Sequence, residues 1–185
     1  MKLDPLNIGG AWVINQESHV DNRGYFREWY LPTKISKELL DVGFVPTQGN
    51  VSKSKKGVIR GMHYSMSKVG QEKWITCTTG RILDVILDVR PDSNTYGMFE
   101  MIELSESNGR SIYIKEGIAH GFITLADDSV VTYLTNTVYR SEDEYIINPF
   151  DPEIQIPWPK MNYVLSKKDE NAPSLDFQKE MGLLP

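Results

Sequence analysis

RILDVILDVR, residues 81–90, alternates with a period of two: Leu83, Val85, Leu87 and Val89 fall on one face, and Ile82, Asp84, Ile86 and Asp88 on the other. That period is the signature of a β-strand, and the two aspartates predict that the second face lines a wet cavity or the surface. Working outward, strand-like runs recur at 11–15, 25–29, 48–52, 58–64, 73–79, 98–104, 111–114, 121–125 and 129–136. Turn signals separate them, among them Asp21-Asn22-Arg23-Gly24, Thr79-Gly80, Pro91-Asp92-Ser93-Asn94 and Asn108-Gly109. Short strands at such spacing predict an all-β sandwich or barrel. Two helices are expected. One is capped by Thr33, carries Ile35, Leu39 and Leu40 as its stripe and stops at Gly43; the other covers 175–181, before Gly182. With no repeat or linker, residues 1–185 read as a single domain, its barrel core about 9–159 and a C-terminal segment 160–185 packing on it.

Composition narrows the function. A net charge of −5 and a pI near 5.3 argue against a nucleic-acid binder, which needs a basic face. The run KSKK at 53–56 reads as a solvated turn. No apolar run approaches the ~20 residues that cross a bilayer, so no membrane partner is expected. The start, MKLDPLNIGGAW, has no hydrophobic leader, and a cytoplasmic location is the expectation. The single cysteine, Cys77, cannot form an internal disulfide and reads as a small buried hydrophobe.

Chemistry concentrates in GVIRGMHY, residues 57–64. Val58 and Ile59 suit a strand, Gly57 and Gly61 permit close backbone approach, and Arg60 stands three residues before His63. A metal-binding barrel of the cupin type would offer an H-x-H pair, but here Tyr64 and Ser65 follow the histidine. His120 stands alone and His19 lies in a polar stretch, so a 2-His-1-carboxylate site would have to assemble in space. The alternative is acid–base work without metal, with His63, His120, Lys73 and Tyr133 as candidates. Taken singly none of the four decides the matter, since a lone Tyr or His on a strand is more often a structural residue than a catalytic one.

Together they carry a resemblance. The segments DNRGYFREWY (21–30), TQGNVSKSKKGVIRGMHYS (47–65), GQEKWITCTTGRILDVILDVRPDSNTYG (70–97), LSESNGRSIYIKEGIAHGF (104–122), PFDPEIQIPWP (149–159) and LSKKDENAP (165–173), with Tyr133 between them, resemble the dTDP-4-dehydrorhamnose 3,5-epimerases. The resemblance implies a cupin-like jelly-roll barrel with short peripheral helices. It also implies cofactor-free epimerisation of a dTDP-4-keto-6-deoxyhexose at C3, C5 or both. The C4 ketone acidifies the neighbouring C–H bonds, so each inversion needs a base, a stabiliser for the enolate oxygen and an acid on the opposite face. By the resemblance His63 is the base and Asp169 the carboxylate that orients it, Lys73 holds the enolate oxygen, and Tyr133 is the acid. His120 binds sugar, with Asp84 as its partner. Arg23, Arg60 and Lys168 hold the ligand, most naturally at the diphosphate, while Glu28, Gln48, Asn50 and Glu144 are further binding positions and Tyr139 stacks on the base. The family exchanges its amino-terminal strands within a homodimer, which would send Arg23 and Glu28 to the partner's site.

Two positions depart from the family. Gln48-Gly49-Asn50 stands where Q-D-N is usual, and Tyr64-Ser65 where an aromatic–glutamine pair is usual. The segment GQEKW and the terminal MGLLP look closer to antibiotic-sugar relatives, some of which invert only C3 or only C5. Three readings therefore stand: an epimerase of two centres or one, a metal-dependent cupin, and a barrel that binds sugar nucleotides without turnover.

Overall fold

The computed structural model describes residues 2–31 and 44–185. Its strands are β1 (Lys2–Pro5), β2 (Ala11–Asn15), β3 (His19–Asp21), β4 (Gly24–Phe26), β5 (Gln48–Ser54), β6 (Ile59–Ser65), β7 (Lys73–Thr79), β8 (Arg81–Asp88), β9 (Phe99–Ser105), β10 (Arg110–Ile114), β11 (Ile118–Thr124), β12 (Ser129–Thr135) and β13 (Glu144–Ile146). Two short helices follow, α1 (Lys167–Glu170) and α2 (Leu175–Glu180). The helix expected between Thr33 and Gly43 lies outside the described residues. Among the described residues no helix is long and apolar enough to cross a membrane.

The strands form a six-stranded sheet in the order β1-β2-β10-β7-β12-β5, a five-stranded sheet in the order β13-β6-β11-β8-β9, and a separate β3–β4 ribbon. Every pairing between named strands is antiparallel. The two large sheets face each other across Ile75, Cys77, Ile112, Ile114 and Val131 from one, and Ile82, Ile86, Ile102, Leu104, Ile118 and Phe122 from the other. Each such side chain contributes about 1.5–3 kcal/mol on burial, so this end of the barrel is a rigid base for whatever the other end holds. Cys77 sits in that core, and burial raises its thiol pKa to about 11, as expected of an inert thiol.

The expectation for the second face of β8 is corrected. Asp84 and Asp88 are fully buried, and Ile82 and Ile86 between them belong to the inter-sheet core. The other face is buried as well, because the C-terminal segment lays Ile154, Ile156, Trp158 and Leu175 over Val85, Leu87 and Val89. A strand covered on both sides cannot show which of its faces is wet. Asp88 instead closes the end of the strand, accepting from Arg90 Nη2 at 2.7 Å, Ser93 Oγ at 2.6 Å and Thr95 Oγ1 at 2.6 Å.

Several element boundaries differ from expectation. The strand expected over 25–29 ends at Phe26, and Lys53 and Ser54 of the expected turn belong to β5. Strands β1, β3 and β13 and helix α1 are three or four residues each, too short for a periodic signal to emerge. The expected C-terminal helix is present as α2, with the Ser174 hydroxyl accepting from Phe177 N–H and Gly182 in the left-handed region at φ 65°.

Candidate active site

Polar side chains from both sheets converge at the end of the barrel away from the apolar base. They line a cavity of about 330 Å³ walled by Gln48, Asn50, Arg60, His63, Gln71, Lys73, Tyr133, Thr135, Tyr139, Glu144, Tyr145, Ile146, Ser166, Lys168 and Asp169. Ten of those fifteen lie on strands. On the six-stranded sheet Lys73 lies opposite Thr135, and Tyr133 opposite Asn50, so these side chains share the inward face. On the five-stranded sheet Ile146 pairs with His63, and His63 with His120.

Arg60 and His63 meet through an irregularity. Three residues apart on a regular strand, they would point to opposite faces. Here Phe122 pairs with Arg60 and His120 with His63, so three steps on β6 face two on β11. That bulge turns both side chains inward. Glycine is what permits it: a Cβ on Gly61 (φ +133°) would lie 2.5 Å from Gly121 Cα, and one on Gly121 would lie 2.6 Å from Met62 Sδ.

His63 Nε2 lies 2.7 Å from Asp169 Oδ1. A carboxylate only accepts, so Nε2 carries a proton, which makes Nδ1 the lone-pair nitrogen whenever the ring is neutral. Asp169 is 4% exposed, and its other oxygen accepts from Ser166 Oγ at 2.8 Å. The same Ser166 caps α1 by accepting from Asp169 N–H at 3.1 Å. Burial alone would raise the Asp169 carboxyl, but the His63 hydrogen bond and charge, the Ser166 hydroxyl and Arg60 outweigh it and leave the pKa lowered. Asp169 is therefore ionised and oriented at neutral pH.

Lys73 is 7% exposed, and Nζ donates to His63 O at 3.3 Å. Among the described residues it makes no ion pair. Burial pushes its pKa down, against the pull of Glu144 and Asp84. The Tyr133 phenol shifts the other way: burial and the Glu144 charge raise it, with Arg60 opposing. Glu144 takes a hydrogen bond from Gln71 Nε2 at 3.1 Å. Gln48 bridges Asn50 Oδ1 at 2.8 Å and the Tyr139 N–H at 2.7 Å. One layer below the cavity, His120 Nε2 lies 2.8 Å from Asp84 Oδ2, the pairing expected of those two. Burial raises the Asp84 pKa, opposed by His120 and Lys73, and Asp84 Oδ1 has no partner.

Of the thirteen residues singled out in the sequence, ten line this cavity: His63, Lys73, Tyr133, Asp169, Gln48, Asn50, Arg60, Tyr139, Glu144 and Lys168. His120 stands behind it. Arg23 lies elsewhere, on the exposed β3–β4 ribbon, paired with Asp21 at 2.6 Å. Glu28 is absent from the cavity wall of its own chain. Sequence reasoning did not single out Gln71, Thr135, Tyr145, Ile146 or Ser166. Gln71 and Thr135 were within reach of parity with Lys73 and Tyr133, and Ser166 of the S-x-x-D capping pattern. Among the described residues, no three His, Cys, Asp or Glu side chains gather as a metal site.

A half-exposed imidazole held by a buried carboxylate, with an ammonium and a phenol around the same cavity, forms a set suited to moving protons to and from carbon. The comparisons agree with that class. Residues 5–176 match the family model described as dTDP-4-dehydrorhamnose 3,5-epimerase. A dTDP-4-dehydrorhamnose 3-epimerase of Streptomyces niveus is 38% identical over 185 residues, covering 100% of this chain and 89% of that protein. A dTDP-4-dehydrorhamnose 3,5-epimerase of Mycobacterium tuberculosis is 38% identical over 191 residues, covering 100% and 93%. The crystal structure of NovW, a 4-keto-6-deoxy sugar epimerase from the novobiocin biosynthetic gene cluster of Streptomyces spheroides, superposes with a TM-score of 0.96 at 38% identity, covering 100% of this chain and 92% of that one. The chain belongs to the dTDP-4-dehydrorhamnose 3,5-epimerase family, and its fold is the cupin-like jelly roll of these isomerases.

Proposed function

We propose that the protein epimerises a dTDP-4-keto-6-deoxyhexose at carbon next to the ketone, with no cofactor. The observation that carries this reading is the convergence of His63, Asp169, Lys73 and Tyr133 on one cavity. His63 removes the proton, and the electron pair of the C–H bond moves into the ring to give an enolate whose charge rests on the C4 oxygen. The Asp169 carboxylate stabilises the imidazolium that forms. Lys73, in a dry wall, directs its ammonium at the growing oxyanion, where such a charge is worth far more than in water. Tyr133 returns a proton from the opposite face, which its raised pKa suits because the phenol is protonated throughout the neutral range.

Arg60 and Lys168 are assigned to the diphosphate and Gln48, Asn50 and Tyr139 to the nucleoside, with Glu144 beside the sugar. His120 supports the floor through Asp84. Arg23 and Glu28 act in the site of a second copy, which makes a homodimer part of the function. Its support is the ribbon itself: all six residues of β3 and β4 are exposed, Val20 and Phe26 among them. Relatives named as single-centre 3-epimerases and as 3,5-epimerases are about equally similar, so identity does not set the number of inverted centres.

Incubation with dTDP-4-keto-6-deoxyglucose in heavy water, followed by NMR, tests the reading. Deuterium at C3 and C5 marks a double epimerase and deuterium at one of them a single-centre enzyme. Uptake at neither overturns the reading. His63→Ala should abolish uptake while nucleotide affinity stays within about tenfold, since an imidazole at the sugar contributes little to diphosphate binding.

A further inference from the structure

Gln71 stands two residues before Lys73 at the start of the same wall, is 9% exposed and lines the cavity. Both hydrogens of its side-chain amide are committed: Nε2 donates to Thr137 Oγ1 at 3.1 Å and to Glu144 Oε1 at 3.1 Å. The direction of the amide is chemically forced, because turning it over would set the carbonyl oxygen against the Glu144 carboxylate, two acceptors face to face. Its oxygen is thereby left over. Among the described residues nothing donates to Gln71 Oε1, and it is not among the polar atoms sealed from solvent without a partner. It is an oriented acceptor on a residue that lines the cavity together with Lys73.

We propose that Gln71 is a specificity-determining residue whose side-chain carbonyl accepts a hydrogen bond from a ring hydroxyl of the sugar close to the keto carbon. This rests on the reading that a 4-keto-6-deoxyhexose occupies the cavity. Such a sugar keeps two free ring hydroxyls, at C2 and C3, so the acceptor has two possible donors and no others. The wall then has a division of labour. Lys73 and Tyr133 serve the reacting atoms, whereas Gln71 reports whether C2 or C3, whichever faces it, carries an O–H. A bound sugar lacking that group sets a carbon against the carbonyl in place of a donor, and such a mismatch discriminates more strongly than a lost methylene does.

The test compares deuterium uptake next to the ketone for the parent dTDP-4-keto-6-deoxyglucose and its 2-deoxy and 3-deoxy analogues, in wild type and Gln71→Met. Methionine keeps the bulk and removes the acceptor. In wild type, kcat/KM for one of the two analogues is expected to fall about tenfold or more below the parent. Gln71→Met should lower kcat/KM for the parent by a similar factor yet stay within about threefold of wild type on that analogue, because the contact is already gone. Equal handling of the parent and both analogues by wild type, within about threefold, overturns the proposal, and that arm needs no variant to fold. So does a Gln71→Met protein that loses the same factor on all three sugars, which would make Gln71 a mere support for Glu144. No uptake by wild type with the parent sugar overturns the epimerase reading itself and this inference with it.

Discussion

At the residue scale the site depends on two opposed shifts in one wall. Burial lowers the Lys73 pKa while burial and Glu144 raise that of Tyr133. As pH rises, the ammonium is therefore lost before an ordinary lysine at about 10.4 would titrate, while the phenol keeps its proton longer than an ordinary tyrosine does. The expected alkaline limb of kcat/KM lies below that value and reports the loss of Lys73 charge. A limb at or above it would remove Lys73 from the enolate oxygen. Lys73→Arg, whose guanidinium does not titrate there, should lower the rate and abolish the limb. Tyr133→Phe separates the two halves of the reaction: His63 can still take a proton and give it back on the same face. Deuterium uptake should continue with retention while net inversion falls by about 100-fold or more, the usual scale for a general acid. Inversion at the wild-type rate would assign the acid elsewhere. Most of these residues were legible in the sequence because each carries a group with few other uses, such as His63 in a chain of three histidines. Gln71 and Ser166 were not, since amides and hydroxyls are common and only geometry shows what they hold.

At the element scale the decisive feature is the bulge between β6 and β11. Arg60 and His63 were both recognisable in GVIRGMHY, yet their odd separation places them on opposite faces of any regular strand. Only the paired register, with its extra step, shows that they share a cavity. Gly61 and Gly121 make that step possible, and a side chain at Gly61 would meet backbone that cannot yield. Gly61→Ala should cost about 2–4 kcal/mol, combining a disfavoured positive φ with a backbone collision. It should also eliminate deuterium uptake in whatever protein remains folded, as the two side chains part. Thermal melting and uptake together check this, and an active variant with an unchanged melting temperature would show that the bulge does not set the site. The same scale explains the misread face of β8. Periodicity records that two faces differ, but Asp84 is paired with His120 and Asp88 with Arg90, so both aspartates are themselves buried.

At the scale of the whole molecule the edges of the sheets matter most. Among the described residues, strand β5 pairs with β12 along one side only, and it carries Gln48 and Asn50 to the cavity wall. Among the same residues the β3–β4 ribbon pairs with no other strand, and it exposes Val20 at 77% and Phe26 at 65%. Open edges and exposed apolar ribbons are features proteins normally cover. A second copy can satisfy both if the ribbon reaches across, carrying Arg23 toward the nucleotide end of the other cavity. This arrangement is open to a sharp test with two damaged proteins, His63→Ala and Arg23→Ala, each expected to be impaired alone. If Arg23 serves its neighbour, subunit exchange yields mixed dimers in which one site carries both lesions and the other carries neither. Uptake should then return to as much as about half of wild type per mixed dimer, by counting of intact sites in a two-fold assembly. If Arg23 serves its own chain, every site in the mixture keeps one lesion and no activity returns. Sedimentation of the wild type supplies the other half of the test, since a monomer at assay concentration would leave no partner for the ribbon to reach.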